Sequence, residues 1–193
     1  MTGLSGMPDL SLNEKKALLK IARFAIEKRL QKESSVDVKD TNKFSADTKA
    51  GCFVTLRVGK RLRGCIGTFN SEKLLIDEIK RMAAAAAFED PRFTPLRPDE
   101  LKSLTIEISV LGELKKINHI EEIQIGRHGV LVKFELKSGT YLPDVAAEQG
   151  WDAEKFVNHC AVHKAGIAPE DVAKAEIFVY DVIKFSDEKD AAA

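Results

Sequence analysis

The sequence predicts an α+β fold with a mainly antiparallel sheet and helices packed on it. Helix and strand patterns alternate irregularly along the 193 residues, which favours this class over a doubly wound parallel sheet. Two apolar-rich runs, at 52–58 and 61–69, are separated by Gly59-Lys60 alone, and this spacing predicts a β-hairpin. We expect one domain over 11–185, built from a larger and a smaller lobe with a cleft between them, and flexible ends at 1–10 and 186–193.

Local signals mark where the first helices begin. Ser11 and Glu14 have the spacing of a capping box, which predicts a helix over 11–31. Asn70 or Ser71 would cap a second helix that ends near residue 88, and its alanine-rich end indicates close packing against the sheet. The other predicted elements are an irregular segment at 33–49, a short helical turn at 97–100, strands at 104–111, 130–136 and 176–182, a turn at 138–139, and helices at 143–149 and from 152 to 166.

The composition indicates a soluble protein of the cytoplasm. Thirty basic and thirty acidic residues cancel, so no net charge draws the chain toward nucleic acid or a membrane. The three cysteines are an odd number without a secretory signal, which favours reduced thiols. Every apolar run is far shorter than the ~18 residues that a membrane span requires.

The second strand of the hairpin is the strongest candidate site. It carries glycines at 64 and 67, although strand interiors disfavour glycine, so a helix, another backbone or a ligand is expected to come close. With a side-chain period of two, Arg61, Arg63 and Cys65 share one face. Leu62 and Ile66 then occupy the opposite face and are expected to anchor the strand in the core.

The residue types on this strand suggest anion binding and thiol chemistry. A thiol near cations is a good nucleophile, and guanidiniums beside bare glycine backbone suit a carboxylate or phosphate. Cys65 is therefore a candidate nucleophile, with Arg61, Arg63, Gly64 and Gly67 as candidate binding residues. The alternatives are that Cys65 is a small buried apolar residue, that the glycines admit a helix, and that the arginines pair inside a covered sheet.

Three charged residues elsewhere complete the candidate set. Asp90 and Arg92 lie on a proline-stiffened loop, where Asp90 could orient an arginine or act as a base, and Arg92 could bind substrate. The alternative is that the two residues pair with each other and with local backbone. Glu107 lies on the polar face of the strand at 104–111 and is a candidate to orient the bound group.

Motifs for metals and cofactors are weak or missing. His159, Cys160 and His163 have the spacing of half a metal site, but no second pair with ligand spacing follows, so we expect no metal and no cofactor. A phosphate-binding glycine-rich loop, a dinucleotide fingerprint and a nucleophile-elbow serine do not occur. The 7% aromatic content argues against a general platform for single-stranded nucleic acid.

Several segments together resemble the AMMECR family, in its stand-alone microbial form. The most specific is Leu62-Arg63-Gly64-Cys65-Ile66-Gly67-Thr68-Phe69. The resemblance continues through 86–93, 106–111, 141–143, 151–152 and Cys160 with 164–166, and spans about residues 11 to 183 in order.

The resemblance implies an α+β fold of two lobes with the signature near the cleft between them. It also implies an association with a Memo-type dioxygenase-like protein and a radical S-adenosylmethionine protein, and so modification chemistry on an anionic small molecule or a nucleic-acid component. Two other readings stay open. The cleft would serve as a non-catalytic binding module, or the signature would be needed mainly for folding.

Overall fold

The computed structural model describes residues 7, 9–31, 48–69 and 72–187. The helices are α1 (Leu12–Leu30), α2 (Leu75–Phe88), α3 (Pro143–Gln149) and α4 (Ala153–His159). The strands are β1 (Cys52–Val58), β2 (Arg61–Thr68), β3 (Leu104–Leu111), β4 (Lys115–Ile117), β5 (Gly129–Phe134), β6 (Lys137–Tyr141), β7 (Glu176–Tyr180) and β8 (Val182–Ser186). Short 3-10 turns lie at Pro98–Ser103, Ile120–Glu122 and Pro169–Lys174, and a π-helical turn at Cys160–Lys164.

The strands form two sheets of four, which confirms the α+β class. One sheet has the order β2-β1-β3-β8 and the other β4-β7-β5-β6. The pairs β1–β2, β1–β3, β4–β7, β5–β6 and β5–β7 are all antiparallel. Strand β2 therefore lies at an outer edge of its sheet, where one side of its backbone has no neighbouring strand among the described residues.

The described residues fall into two compact units. One contains Gly112–Val182. The other contains the described residues between 9 and 111, together with 183–187. The single domain over 11–185 and its cleft stay predictions.

In the unit that carries β2, α2 packs on the β1–β2 hairpin and on α1. The core side of the sheet is fully apolar, since Val54, Leu56, Ile106 and Ile108 are completely buried. The capping box predicted at Ser11 is present: the Ser11 hydroxyl accepts from the backbone of Glu14, whose carboxylate accepts from the Ser11 amide at 2.8 Å. The core face of β2 is thus covered by α2.

In the other unit, α3, α4 and the π-helical turn pack on the sheet around an apolar core that includes Phe156, Val157 and Cys160. The π-helical turn continues α4 directly and ends near Gly166, whose φ of +66° is the left-handed value that glycine tolerates best. Asp152 caps α4 as predicted, by accepting from the backbone nitrogen of Lys155 at 2.8 Å.

Several predicted boundaries were wrong. The second helix begins at Leu75, directly after its N-cap residue Leu74. The predicted caps at 70–71 and most of the segment at 33–49 lie outside the described residues. The β5–β6 hairpin turns between Phe134 and Lys137, with Glu135 at φ +53°, and not at 138–139. The predicted strand at 176–182 ends at Tyr180, and β8 belongs to the other sheet.

Gly139 explains why the turn was misplaced. It lies inside β6, and a Cβ atom there would come within 2.4 Å of the Ala165 backbone nitrogen. The glycine is needed because the π-helical turn packs directly on the strand, and not because the chain reverses there.

Candidate functional site on the edge strand

The hairpin register places the Cys65 side chain opposite that of Thr55 on the neighbouring strand. Gly64 faces the other way, toward α2, and a Cβ atom on it would lie 2.0 Å from the Ala86 carbonyl oxygen. Helix α2 can therefore approach β2 this closely only because residue 64 has no side chain. Of the explanations that the sequence allowed for this glycine, the close approach of a helix is the one that accounts for its position.

A β-bulge interrupts the alternation along β2. Arg57 pairs with Leu62 while Leu56 pairs with Gly64, so Arg63 is the extra residue between them. The bulge moves Leu62 to the face of Arg57 and away from the core. Leu62 is consequently 37% exposed, and its prediction as a core anchor was wrong, whereas the half-buried Ile66 does pack against the core.

The backbone of Cys65 is held by the loop that follows α2. The Asp90 carboxylate accepts a hydrogen bond from the Cys65 backbone nitrogen at 2.8 Å, and an Arg92 Nη2 donates to the Cys65 carbonyl oxygen at 3.1 Å. These are the two groups that a further strand would bind at the sheet edge. Two side chains thus make the hydrogen bonds to the Cys65 backbone that a neighbouring strand would otherwise make.

Asp90 and Arg92 are themselves tightly paired. Arg92 donates through Nε and Nη2 to the two Asp90 oxygens at 2.9 and 2.7 Å, and its backbone nitrogen donates at 3.1 Å. The Arg92 side chain keeps the pKa of Asp90 low, at about 2. Asp90 is therefore a permanently charged group, well suited to orient its neighbours and a weak base at neutral pH.

The Asp90 and Arg92 side chains differ in exposure, and they therefore have different roles. The Asp90 side chain is 2% exposed, whereas that of Arg92 is 52% exposed. The carboxylate faces inward and holds the Cys65 amide, while part of the guanidinium reaches solvent beside the same residue. A positive group is thus fixed next to the exposed edge of β2.

Arg63 has a separate carboxylate partner. Its Nε and Nη2 donate to the two Glu100 oxygens at 2.7 and 3.0 Å, and Nη2 also donates to the Pro95 carbonyl at 3.2 Å. The pair is largely shielded from solvent, with 13% and 17% of the side chains exposed. Arg63 lowers the pKa of Glu100 to about 2. This ion pair ties the bulge to the turn at Pro98–Ser103.

The Cys65 thiol is half-buried and accepts a hydrogen bond from the Thr55 hydroxyl at 3.3 Å. The other two cysteines contrast with it. Cys52 and Cys160 are completely buried, and burial raises the pKa of each thiol to about 12. Cys65 is therefore the thiol that reagents and substrates can reach most readily.

The remaining candidate residues lie around this strand in different roles. Arg61 is exposed at the start of β2 and pairs with Val58. Because of the bulge it lies on the face opposite Cys65, so the prediction that these two residues share a face was wrong. Gly67 lies under the Phe53 ring, which a Cβ atom would approach to 2.3 Å. Glu107 pairs with Thr55 across β3 and β1, so Cys65, Thr55 and Glu107 form one row across the sheet. Glu107 is also bridged to Lys184 at 3.4 Å.

The histidines lie in the other unit. His159 and His163 stack with their ring centroids 4.2 Å apart. Among the described residues, no group of three or more His, Cys, Asp or Glu side chains is arranged to hold a metal ion. The same part of the chain contains no helix of sufficient length and apolar character to cross a bilayer.

Sequence reasoning missed two residues of the site, Thr55 and Glu100. A two-residue hairpin turn alone would pair Thr55 with Gly64, because the bulge that shifts the register leaves no mark in the sequence. Glu100 sits in the helical turn predicted near 97–100. The alternative that the arginines pair inside the sheet required a partner for Arg63. The sequence did not show which residue that partner was.

These features define a class of protein: an α+β chain with a cysteine on an edge strand that a charged loop holds in place. The AMMECR1 family model matches residues 19–185, and the chain belongs to this family.

Similar proteins cover nearly the same length. A protein of Methanopyrus kandleri is 37% identical over 191 residues, which cover 93% of this chain and 91% of the relative. A protein of Methanothermobacter thermautotrophicus is 38% identical over 178 residues, or 89% and 92% of the two chains. The crystal structure of an uncharacterized protein from Pyrococcus horikoshii matches with a TM-score of 0.83 and 30% identity, covering 93% and 94%. These names assign no activity, so the function has to be argued from the site.

Proposed function

We propose that Cys65 acts on an anionic small molecule or nucleic-acid component that binds along the outer edge of β2. The pairing of the Cys65 backbone with Asp90 and Arg92 carries the proposal. It fixes the direction of the thiol without using the thiol itself, as a preorganised nucleophile or contact residue requires. Thr55 completes the arrangement by donating to the sulfur.

The same edge offers groups for an anion. Arg92 is half-exposed beside Cys65, so its guanidinium can reach a bound carboxylate or phosphate. The exposed Arg61 adds positive charge at the start of the same strand. The strand alternation directs the Gly67 amide to the same outer edge as the Cys65 amide, which adds a backbone donor. In this proposal Arg63, Gly64 and Glu107 support the site, because contacts within the fold already engage each of them.

Asp90 serves in the proposal as a positioning residue. Its carboxylate is ionised, buried and bonded to both Cys65 and Arg92. A carboxyl group with a pKa of about 2 accepts a proton poorly at neutral pH, and substrate has little room to reach it. Its contribution would be to hold the thiol and the guanidinium at a constant separation. The proposal places the protein in a reducing compartment, the cytoplasm, where Cys65 stays a thiol.

Alkylation of the native protein tests the nucleophile role. Iodoacetamide is added at pH 7 and the modified cysteines are identified by mass spectrometry, with free glutathione as the rate standard. We expect Cys65 to react faster than glutathione, while Cys52 and Cys160, as internal controls, stay unmodified. Thr55→Val should slow the reaction, since it removes the hydroxyl that donates a hydrogen bond to the sulfur. A Cys65 slower than glutathione would remove the nucleophile role.

One observation favours a second function, a non-catalytic binding module. The carboxylates of Asp90 and Glu100 are ionised and already paired with arginines. These pairs make the strand edge rigid and charged. Neither carboxylate has a pKa suited to a general base at neutral pH. The partner would be a Memo-type or a radical S-adenosylmethionine protein, as the family resemblance implies. Co-purification with such a protein that survives Cys65→Ala but is lost in Arg61→Ala supports the module. Loss of in-cell function in Cys65→Ala alone, at unchanged stability, supports catalysis.

A further inference from the structure

Three aromatic rings stand in a row in the unit that does not carry β2. The Trp151 and His159 ring centroids are 4.3 Å apart, and those of His159 and His163 are 4.2 Å apart, with interplanar angles of 37° and 36°. Trp151 precedes α4, His159 ends it, and His163 lies four residues further on in the π-helical turn. The helix therefore aligns the two imidazoles on one face and continues the row begun by the indole.

Tyr141 holds this row of rings in position. Its hydroxyl is 2.8 Å from the His159 Nδ1 atom, and its ring stacks on the buried Phe156 at 6.0 Å between centroids. Partial burial and repulsion from His163 lower the pKa of His159, which favours the neutral ring. The core thus holds the row in place, while His163 is exposed and Trp151 and His159 are partly exposed.

Positive side chains flank the rings on both sides. The Lys155 ammonium lies 5.8 Å from the Trp151 ring centroid, and the Lys164 ammonium 5.3 Å from that of Tyr141. A depression of about 470 Å³ beside them is lined by Lys155, Asn158, His159 and His163 and by the carboxylates of Asp152 and Glu154. The depression is shallow and open to solvent.

From this geometry we infer a nucleobase site, in which a base stacks on the exposed His163 end of the Trp151–His159–His163 row and Lys155 or Lys164 contacts the adjacent phosphate. An exposed aromatic face binds any base, and lysines beside it bind the phosphate. The carboxylates of Asp152 and Glu154 accept hydrogen bonds from exocyclic amino groups and disfavour a long run of phosphates. The ligand is a free nucleotide or a short single-stranded segment, and both share this chemistry.

The site is independent of Cys65 and of the function proposed for it. The low aromatic content of the sequence, 7%, had argued against a single-strand platform. The fold nevertheless assembles one locally, from a tyrosine in β6, the tryptophan before α4 and two histidines one helical turn apart.

Fluorescence tests the inference directly, because Trp151 is the only tryptophan in the chain. The protein is titrated in EDTA, which removes metal ions, with AMP, UMP, a ten-residue oligo(dA) and, as a phosphate without a base, pyrophosphate. We expect saturable quenching by the base-containing ligands and none by pyrophosphate. Equal affinity for AMP and the oligonucleotide identifies a nucleotide site; tighter, salt-sensitive binding of the oligonucleotide identifies a single-strand site.

Variants decide whether the rings do the binding. His163→Ala removes an exposed ring and should weaken binding at least about fivefold, given the usual value of base stacking on an aromatic side chain. Lys155→Gln should weaken it and reduce its salt dependence. His119→Ala and Lys174→Gln are matched controls outside the row and should bind as the parent does, as should Cys65→Ala. Quenching by pyrophosphate, quenching unchanged in His163→Ala, or no quenching by any base at millimolar concentration would overturn the inference.

Discussion

The Asp90 Oδ2 atom lies 2.8 Å from the backbone nitrogen of Cys65, so a buried carboxylate occupies the place of a neighbouring strand's carbonyl. The position of the thiol therefore depends on a loop that lies 25 residues further along the chain. Disturbing that loop should affect both the stability of the unit and the reactivity of Cys65.

Replacing Asp90 should be costly. Asp90→Asn removes the charge that pairs with Arg92 and leaves a guanidinium beside β2 without its partner. Breaking one side of a shielded pair typically costs about 3 kcal/mol, less here because Arg92 is half-exposed, and urea unfolding would measure it. Asp99→Asn is the matched control, since its pair with Arg97 is 70% exposed on both sides and its loss should leave the urea midpoint in place. Equal midpoints for the two variants would contradict a structural role for Asp90.

Acid should unfold the β2 unit through two carboxyl groups. Asp90 and Glu100 have pKa values of about 2 in the fold, against 3.8 and 4.5 for the free carboxyl groups. Both therefore stabilise the folded state fully above pH 4.5, and this contribution is lost as the pH falls toward 2. We expect Asp90→Asn and Glu100→Gln each to flatten the fall in melting temperature over that range. A parent protein whose melting temperature is constant over the same range would show that the two pairs contribute little.

Gly64→Ala should be strongly destabilising. Its methyl group would lie 2.0 Å from the Ala86 carbonyl oxygen, so α2 must move away from β2, at an expected cost of about 3 kcal/mol. Thermal unfolding monitored by circular dichroism would show the loss. The paired variant Ala86→Gly should give no rescue, because the clash is with backbone and not with the alanine side chain. Rescue by that second change would place the conflict elsewhere.

The arginines of β2 should separate into one that supports the fold and one that binds. Arg63 is shielded and paired with Glu100, so Arg63→Ala should lower the melting temperature by several degrees. Arg61 is exposed, so Arg61→Ala should keep the melting temperature but weaken any stabilisation by added phosphate. Thermal shift with and without sodium phosphate measures both effects. A phosphate response that disappears only in Arg63→Ala would reverse these assignments.

Local signals were sufficient for much of the fold. The Ser11 capping box, the Gly59-Lys60 hairpin and the alternation of Ile106 and Ile108 each depend on residues close in sequence, and each prediction was confirmed. The α+β class followed from the order of such elements.

Sequence reasoning failed where a distant contact decides the structure. The bulge at Arg63 coincides with a contact to the turn that carries Glu100, and it moved Leu62 off the core face. Gly139 was misread as a turn because a strand glycine that accommodates another backbone looks the same in sequence. Cys65 was identified as a candidate from its neighbours, but the side chains that hold it lie in a separate segment.

The pairing of Cys65 by Asp90 and Arg92 also bears on how this protein behaves at high concentration. Open sheet edges recruit strands from other molecules and so promote aggregation. Here two charged side chains occupy the hydrogen-bonding groups of one central edge residue, and the bulge at Arg63 bends the strand just before it. The edge can thus present a thiol to solvent while remaining a poor template for strand addition, so exposure for function and resistance to self-association come from the same loop.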